Sequence, residues 1–355
     1  MIAIIIAYGR SFLRDRAGLA MTLILPPVVY LLFAAIFGAG ARGEIESTVF
    51  LHDAARTTQS RVIEIGLKSA LGDRLTLVPD AASVEAAVID GRSDAGVLIL
   101  PSQGPEPLIE VVSGAGRDVA AAGVVGRVQA LTTGLRRNAP PPASTVRQRS
   151  VGPEGDVQAV YYAGAVSIMF VFFAAMHGAM AGLDERRSGL QARLSLAAGG
   201  LASIIAGRAA WLLMVGLAQS AVVFAIAAPR LPPTEIWQWA AWLATAGLAS
   251  ASAAGVALAI IALCRSREQA QPLSTFIVLL LAALGGSMAP RFLMPEVFRQ
   301  LGWLTPHAWV IEAYQTLMWR GVFDMTVVSA WIVLAVVAVF GGMIALAVET
   351  RRPVP

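Results

Sequence analysis

Long apolar runs alternate with short polar segments along most of the chain. Six of these runs approach or exceed the ~20 apolar residues with which a helix crosses the hydrocarbon core of a bilayer. They predict transmembrane helices at residues 17–38, 157–183, 201–228, 236–264, 269–290 and 325–348. Residues 1–16 combine apolar and basic positions, as an interfacial helix does, and 349–355 form a polar tail. The pattern therefore predicts a polytopic α-helical membrane protein with six transmembrane helices.

Residues 39–156 depart from this pattern and predict an inserted α/β domain. Apolar alternation predicts strands at 49–51, 75–77, 96–100 and 108–112. Helical spacing predicts helices after the first, second and fourth of these strands, and Ser83 and Asp118 can cap the last two helices. Alternation of strands and helices favours a partly parallel sheet. Residues 138–142 are expected to form a stiff linker back towards the bilayer. This domain has no paired carboxylates at motif spacing, no metal-ligand cluster and no nucleophile motif, so we assign it no chemistry.

The composition supports a membrane protein. Of 355 residues, 57% are hydrophobic and 14% are charged, which is too apolar for a soluble globule of this size. The net charge of +4 comes from arginines beside the predicted spans, where it reports topology, so we predict the lipid bilayer and no nucleic acid as a partner. Arginine is more frequent at one set of span ends, which predicts a multi-pass protein of the cytoplasmic (inner) membrane with both termini in the cytoplasm.

One alternative concerns the start of this topology. The N-terminal segment could instead be a cleaved signal peptide, although the apolar run after Arg16 is longer than a signal-peptide core and contains Pro26 and Pro27.

Cys264 is the single cysteine, so an internal disulfide and a Cys-based metal site are both excluded. Within the spans, Gly247, Ala251 and Gly255 predict close helix packing. Arg208 is expected to snorkel or to form local hydrogen bonds.

A charged island (residues 182–194) separates the second and third predicted spans, within a polar loop predicted at 184–200. Leu183, Leu190 and Leu194 fall at helical spacing, whereas the acids and arginines take the other faces. This spacing predicts one short amphipathic helix that lies along the membrane surface and offers a docking surface. A solvated loop that only connects two spans is the alternative interpretation.

The island resembles the coupling-helix loop of ABC-2 type transporter permeases. The shared order is an acid, a basic residue, a glycine and a following leucine. Directly after the glycine the family usually has Thr, whereas this chain has Leu190. The resemblance implies that the island couples the chain to a separate ABC ATPase subunit. The residues implied in this coupling are Glu185, Arg186, Arg187, Gly189, Leu190 and Leu194.

A second and more specific resemblance to the same family covers residues 265–321. It includes Glu268-Gln269-Ala270, Gly285-Gly286-Ser287 and the segment Leu304-Thr305-Pro306-His307-Ala308-Trp309. In that family the C-terminal part folds as short re-entrant helices, implied here for 291–324, that close the exit of a dimer's central cavity. Pro306, Trp309 and Glu312 are the implied gate residues. From the residues themselves, we expect Glu312 to pair with Arg320 or a backbone group, and cargo contact is the alternative.

The energy source must lie on another polypeptide if transport uses ATP. The only lysine is Lys68, and Leu67 precedes it, so the chain contains no phosphate-loop motif. The chain is therefore predicted to be no enzyme and to bind no cofactor itself, with ATP and Mg²⁺ held by the partner subunit. No acid lies within the predicted spans, which disfavours an ion-coupled carrier.

The resemblance implies the permease subunit of an ABC-2 type exporter. It would form a dimer with a second copy or a paralogue and move a lipid-like or amphipathic cargo or a drug. An ion-coupled secondary transporter remains an alternative, as does a non-transporting receptor or scaffold that acts through residues 39–156.

Overall fold

The computed structural model describes residues 2–38, 48–90, 92–102, 107–114, 118–135, 146–151, 157–196, 200–291 and 294–351. The chain divides into two compact units. One comprises residues 1–35 and 157–355 and consists of helices, and the other comprises residues 36–156 and is built around a β-sheet. Below they are called the helical unit and the sheet unit.

The chain begins with an irregular series of helices. Helix α1 (Ile2–Arg14) is followed by α2 (Arg16–Leu19), a π-helical turn (Ala20–Ile24) and α3 (Leu25–Gly38). Within the π turn, the amide of Leu25 donates to the carbonyl of Ala20, five residues back. This looser turn precedes Pro26 and Pro27, which lack an N–H and whose rings crowd the carbonyls four residues before them. The first predicted span is thus helical but irregular.

Among its described residues, the sheet unit contains five strands in the order β2-β1-β3-β4-β5. They are β1 (Val49–Asp53), β2 (Leu75–Leu77), β3 (Ala95–Leu100), β4 (Leu108–Gly114) and β5 (Val146–Val151). The β3–β4 pair is antiparallel, and the three other neighbouring pairs are parallel. The connecting helices are α4 (Thr58–Leu71), α5 (Ala81–Ile89) and α6 (Asp118–Leu135).

Both faces of this sheet are covered by helices. Helices α4 and α6 pack on the face that includes Val97 and Ile99, and α5 packs on the opposite face through Val84. The N-cap of α5 is Asp80 instead of the predicted Ser83. The amide of Ser83 donates a hydrogen bond to Asp80 Oδ1, with 2.7 Å between nitrogen and oxygen. Strand β5 had not been predicted, and the predicted linker at 138–142 lies outside the described residues.

Five helices in the described part of the chain are long and apolar enough to cross a membrane, whereas six spans had been predicted. They are α7 (Val157–Ala179) extended by α8 (Ala181–Arg187), α10 (Gly200–Ala227), α11 (Ile236–Leu263), α12 (Arg267–Gly285) and α15 (Met325–Thr350). The first predicted span contributes only a shorter apolar helix at Ala20–Phe33. Shorter elements of the helical unit include α9 (Leu190–Ser195), α13 (Glu296–Leu301), α14 (Pro306–Tyr314), a π-helical turn (Gln315–Trp319) and 3-10 helices at Ala228–Arg230 and Gly302–Leu304.

Close backbone contact joins α11 and α15. A Cβ atom on Gly255 would lie 2.5 Å from the Ala338 carbonyl oxygen, and one on Gly341 would lie 2.5 Å from the Gly255 carbonyl oxygen. Only a glycine fits at such a crossing, so Gly255 serves the close packing predicted for it. Gly247, for which the same role was predicted, has open space around its Cα.

Helix α14 lies inside the helical unit. At its start, the buried ring of His307 contacts Phe172 of α7 at a tilted angle, with ring centroids 4.6 Å apart. At its end, Tyr314 contacts Gly164 of α7, and its ring lies tilted against Phe224 of α10 with centroids 4.8 Å apart. With nine residues, α14 is too short to span a bilayer. It packs instead as a short helix against the longer helices α7 and α10.

Candidate functional site

The charged island is divided into two short helices. Helix α8 follows α7 after one residue, and Gly189 then takes a left-handed conformation with φ of 69° before α9 begins. Glycine adopts this conformation without steric penalty. The single amphipathic helix predicted for the island is therefore wrong. Leu183 is buried whereas Leu190 is 43% exposed, so the leucines do not share one face.

Glu185 belongs to a buried triad with Tyr8 and Arg208. The Tyr8 hydroxyl donates to one carboxylate oxygen of Glu185, and the Arg208 guanidinium donates to the other. Arg208 Nε also donates to the Tyr8 hydroxyl oxygen at 2.8 Å. The side chains of Arg208 and Glu185 are only 7% and 14% exposed. Burial raises the pKa of the Tyr8 hydroxyl above its ordinary value. The triad joins α8 to α1 and α10.

Arg186, the next residue, points to two other helices. Its Nη1 donates to Glu349 Oε1 of α15 at 2.8 Å, and its Nη2 donates to the carbonyl oxygen of Ile261 at 2.9 Å. A guanidinium at the last carbonyls of α11 complements the negative end of that helix. Gln191 of α9 donates to the other oxygen of Glu349 at 2.9 Å. Arg186 and Gln191 thus fasten both island helices to the ends of α11 and α15.

Asp184 completes the contacts of α8. Arg267, at the start of α12, donates to both of its carboxylate oxygens, at 2.8 and 2.5 Å. Both side chains are exposed, unlike those of the triad. Three consecutive charged residues therefore contact five helices: α11, α12 and α15 near one end of each, and α1 and α10 within their length.

The other side of the island is exposed. We call Arg187, Leu190, Arg193 and Leu196 the exposed edge, and Leu196 is 88% exposed. Arg187 interacts electrostatically with Glu268, but within the described ranges neither Arg187 nor Arg193 forms a side-chain hydrogen bond or ion pair. Of the six predicted coupling residues, Arg187 and Leu190 lie on this edge. Gly189 and Leu194 are half-buried, and Glu185 and Arg186 contact other helices of the chain.

Glu312 lies in a second network after α12. Arg320 Nη2 donates to Glu312 Oε1 at 2.6 Å, which confirms the expected pairing. Arg291 Nη1 lies 4.0 Å from the other carboxylate oxygen, and its guanidinium stacks 3.9 Å from the ring centroid of Trp303. Burial lowers the pKa of Arg291. We call Arg291, Trp303, Trp309, Glu312 and Arg320 the aromatic–arginine network.

Trp309 connects the start of α14 to this network. Trp309 Nε1 donates to the carbonyl oxygen of Trp303 at 2.7 Å, and the two rings are in tilted contact with centroids 4.7 Å apart. Pro306 is buried in the first turn of α14, where a missing N–H is harmless, and Thr305 is the N-cap. All three implied gate residues therefore lie in α14, where Trp309 and Glu312 belong to the network and Pro306 begins the helix.

Tyr8 and Glu349 were not predicted as site residues. Arg208 carried a usable signal, because an arginine inside an apolar run needs an acidic partner, but the sequence did not identify which acid. No group of three or more His, Cys, Asp or Glu residues that could hold a metal ion occurs in the part of the chain that the structure describes.

Comparison with known proteins supports a transporter. A family model described as ABC-2 family transporter protein matches residues 16–347, which include the charged island and the aromatic–arginine network. Comparison with curated proteins gives no match. The matched region covers most of the chain and contains long apolar helices. The chain therefore belongs to the ABC-2 family of transporter proteins, as a multi-pass membrane component.

Proposed function

We propose that this chain is the transmembrane permease subunit of an ATP-driven ABC-2 type exporter. Each copy would bind one separate ABC ATPase subunit, which holds ATP and Mg²⁺, and two permease chains, identical or paralogous, would form a dimer. The observation that carries the proposal is the division of the charged island. One side of it contacts five helices of the chain, and the other side, the exposed edge, is open to a partner.

The exposed edge has the composition of a protein-docking surface. Leu190 and Leu196 supply exposed apolar area beside Arg187 and Arg193, so a partner groove with apolar and acidic groups would complement it. The contacts of Asp184, Glu185 and Arg186 anchor the island to five helices. A displacement of the edge by ATP binding in the partner would therefore act on those helices together.

The cargo proposal rests on the apolar character of the bundle. The long helices are dominated by apolar residues, and the acids near their ends, Glu185 and Glu349, pair with arginines. A lipid-like or amphipathic molecule or a drug suits such a path better than a small ion. Residues 291–324 would close its exit as re-entrant helices held by the aromatic–arginine network. The arginine bias supports a cytoplasmic membrane location with the island and both termini on the cytoplasmic side.

A pull-down from native membranes with mild detergent tests the partner. The variant Arg187→Ala with Leu190→Ala removes two side chains of the exposed edge. A matched control is Arg230→Ala with Ile236→Ala. It removes an exposed arginine between α10 and α11 and an exposed aliphatic side chain at the start of α11. Glu185 is left unchanged, since its removal would also unpair the buried Arg208.

We expect an ABC ATPase to co-purify with wild type and with the control, and to be reduced about tenfold with the edge variant. Equal recovery with both variants would show that the partner docks elsewhere. Absence of any ATPase under conditions that preserve other membrane complexes would refute the exporter. The ion-coupled carrier and the receptor or scaffold would then be the remaining functions.

A further inference from the structure

Helix α1 packs tightly along α10. A Cβ atom on Gly9 would lie 3.3 Å from the Trp211 ring, and one on Gly207 would lie 3.0 Å from Ile4. The rings of Phe12 and Trp211 meet edge to face, with centroids 5.8 Å apart. These contacts occupy one face of α1 over its whole length, so a displacement of α1 would be resisted by α10.

The opposite face of α1 is exposed and amphipathic. Ile2 is 72% exposed, Ile6 49% and Leu13 69%, and Arg10 and Arg14 are exposed beside them. An apolar ridge flanked by arginines is the composition of a helix that lies in a membrane interface, where each arginine gains from anionic headgroups. α1 directly precedes α2 and the apolar segment Ala20–Phe33, which further favours a lipid as the occupant of this face.

Tyr8 connects this helix to the charged island. It lies on the packed face of α1, donates to Glu185 and accepts from Arg208. Glu185 precedes Arg187 of the exposed edge by only two residues within α8. The direct path from the lipid-facing helix to the exposed edge therefore runs through the Tyr8 hydroxyl group, beside the packing of α1 on α10.

We propose that α1 binds anionic lipid at the island's end of the helical unit and that Tyr8 transmits this contact to the exposed edge. Tyr8 is a positioning residue in this arrangement, since it holds Glu185 and α8 in place. The proposal adds a lipid-dependent regulation to the proposed docking function. It rests on the proposed function only in assigning the exposed edge to docking of the ATPase.

Hydrogen–deuterium exchange on the purified permease in vesicles tests both parts without an ATPase. The vesicles contain phosphatidylcholine alone or with added phosphatidylglycerol, and exchange is followed in peptides that cover residues 182–196. For wild type we expect anionic lipid to slow this exchange about fivefold, the factor that corresponds to about 1 kcal/mol for one arginine at an anionic surface. Tyr8→Phe keeps the ring but removes the hydroxyl, so exchange should be equal in the two lipids. Glu185→Gln should lose the response in the same way.

Two further variants separate the lipid contact from the triad. Arg10→Gln with Arg14→Gln should give equal exchange in both lipids, at the rate of wild type in phosphatidylcholine, because the triad is intact. The control Arg61→Gln with Arg92→Gln removes two exposed arginines of the sheet unit and should keep the full wild-type response.

Equal exchange of wild type in the two lipids would overturn the proposal, as would a retained lipid response in Tyr8→Phe. Protection of α1 that appears only after the ATPase subunit is added would assign its exposed face to a protein instead of lipid. Because the exchange is measured on the permease alone, a failed pull-down refutes the proposed function and leaves the lipid response standing.

Discussion

Neighbouring charges of α8 differ in how much stability they contribute. Asp184 and Arg267 are both exposed, so water screens their attraction and competes for their hydrogen bonds. Glu185 and Arg208 are largely removed from water, and each is the main compensation for the other's desolvation. Both pairs are within hydrogen-bond distance, so burial decides which pair contributes more to the free energy of unfolding.

Glu185→Ala should therefore lower the free energy of unfolding by about 3–5 kcal/mol, because Arg208 would stay buried without its carboxylate. Asp184→Ala should lower it by about 1 kcal/mol or less. The measurement is thermal and denaturant unfolding in detergent. The double variant Glu185→Ala with Arg208→Met should recover part of the loss, and equal losses in the two single variants would contradict the assigned burial.

Arg186 depends on the shape of its guanidinium. It reaches a carboxylate and the final carbonyls of α11 at the same time, which the compact ammonium of lysine does not. Arg186→Lys should cost about 1–3 kcal/mol, as loss of a hydrogen bond to a charged group does. Arg187→Lys, on the exposed edge, should change stability by less than about 0.5 kcal/mol. A result in which both substitutions are neutral would show that Arg186 is not needed at the helix ends.

Among the helices, the α11–α15 crossing brings two backbones into direct contact and leaves no room for added atoms. Gly341→Ala places a methyl group against the Gly255 backbone, which cannot move away without separating the helices. We expect a loss of about 1–3 kcal/mol from overpacking, seen as a lower unfolding temperature in detergent.

Gly342→Ala is the matched control, because its Cβ would meet open space on the same helix. Replacing an unconstrained helical glycine gains up to about 1 kcal/mol of helix propensity in a soluble host, so this variant should be neutral or stabilised. Destabilisation of both variants would show that backbone flexibility in α15, and not close contact, sets the requirement for glycine.

The elements with a clear apolar period could be predicted from the sequence. Strands β1 to β4 and the long helices α7, α10, α11, α12 and α15 all correspond to predicted segments. Strand β5 was missed because its sequence Val-Arg-Gln-Arg-Ser-Val shows almost no apolar alternation. It pairs in parallel with β4, and Arg149 on it pairs with Glu85 and Glu110. Such an edge strand is defined by its partners and not by its own pattern.

The candidate site was predictable in its charges but not in its contacts. The island was visible as a cluster of acids and arginines, and Gly189 was noted without its left-handed conformation. Tyr8 lies 177 positions from Glu185 and Glu349 lies 163 positions from Arg186, so no local period relates them. Which charges are internal and which are exposed depends on these distant pairs. The Glu312–Arg320 pair, only eight positions apart, was predictable from the sequence.

At the scale of the whole molecule, the chain combines two kinds of core. The helical unit exposes many apolar side chains, such as Ile332, Val336 and Phe340 of α15, and depends on lipid or partners to cover them. The sheet unit instead buries its apolar residues on both faces of the sheet. A core that is complete within residues 36–156 provides the stability of a domain without the rest of the chain.

We therefore expect residues 36–156, expressed alone, to be soluble and to unfold in one cooperative transition with about 5–15 kcal/mol of stability. Circular dichroism against temperature and urea measures this. Gly96→Ala in this fragment should cost about 1–3 kcal/mol, because its Cβ would collide with Val84 of α5. Gly126→Ala, in α6 with open space around it, should be neutral or slightly stabilising.

The two glycine variants separate a packed core from a loosely collapsed one. In a packed core, the methyl group at residue 96 has no space between the sheet and α5, so only Gly96→Ala lowers the midpoint. A collapsed fragment without fixed packing would accept both methyl groups equally and would unfold over a broad range. That outcome, or a fragment that stays unfolded, would show that the sheet unit needs the membrane helices for its structure.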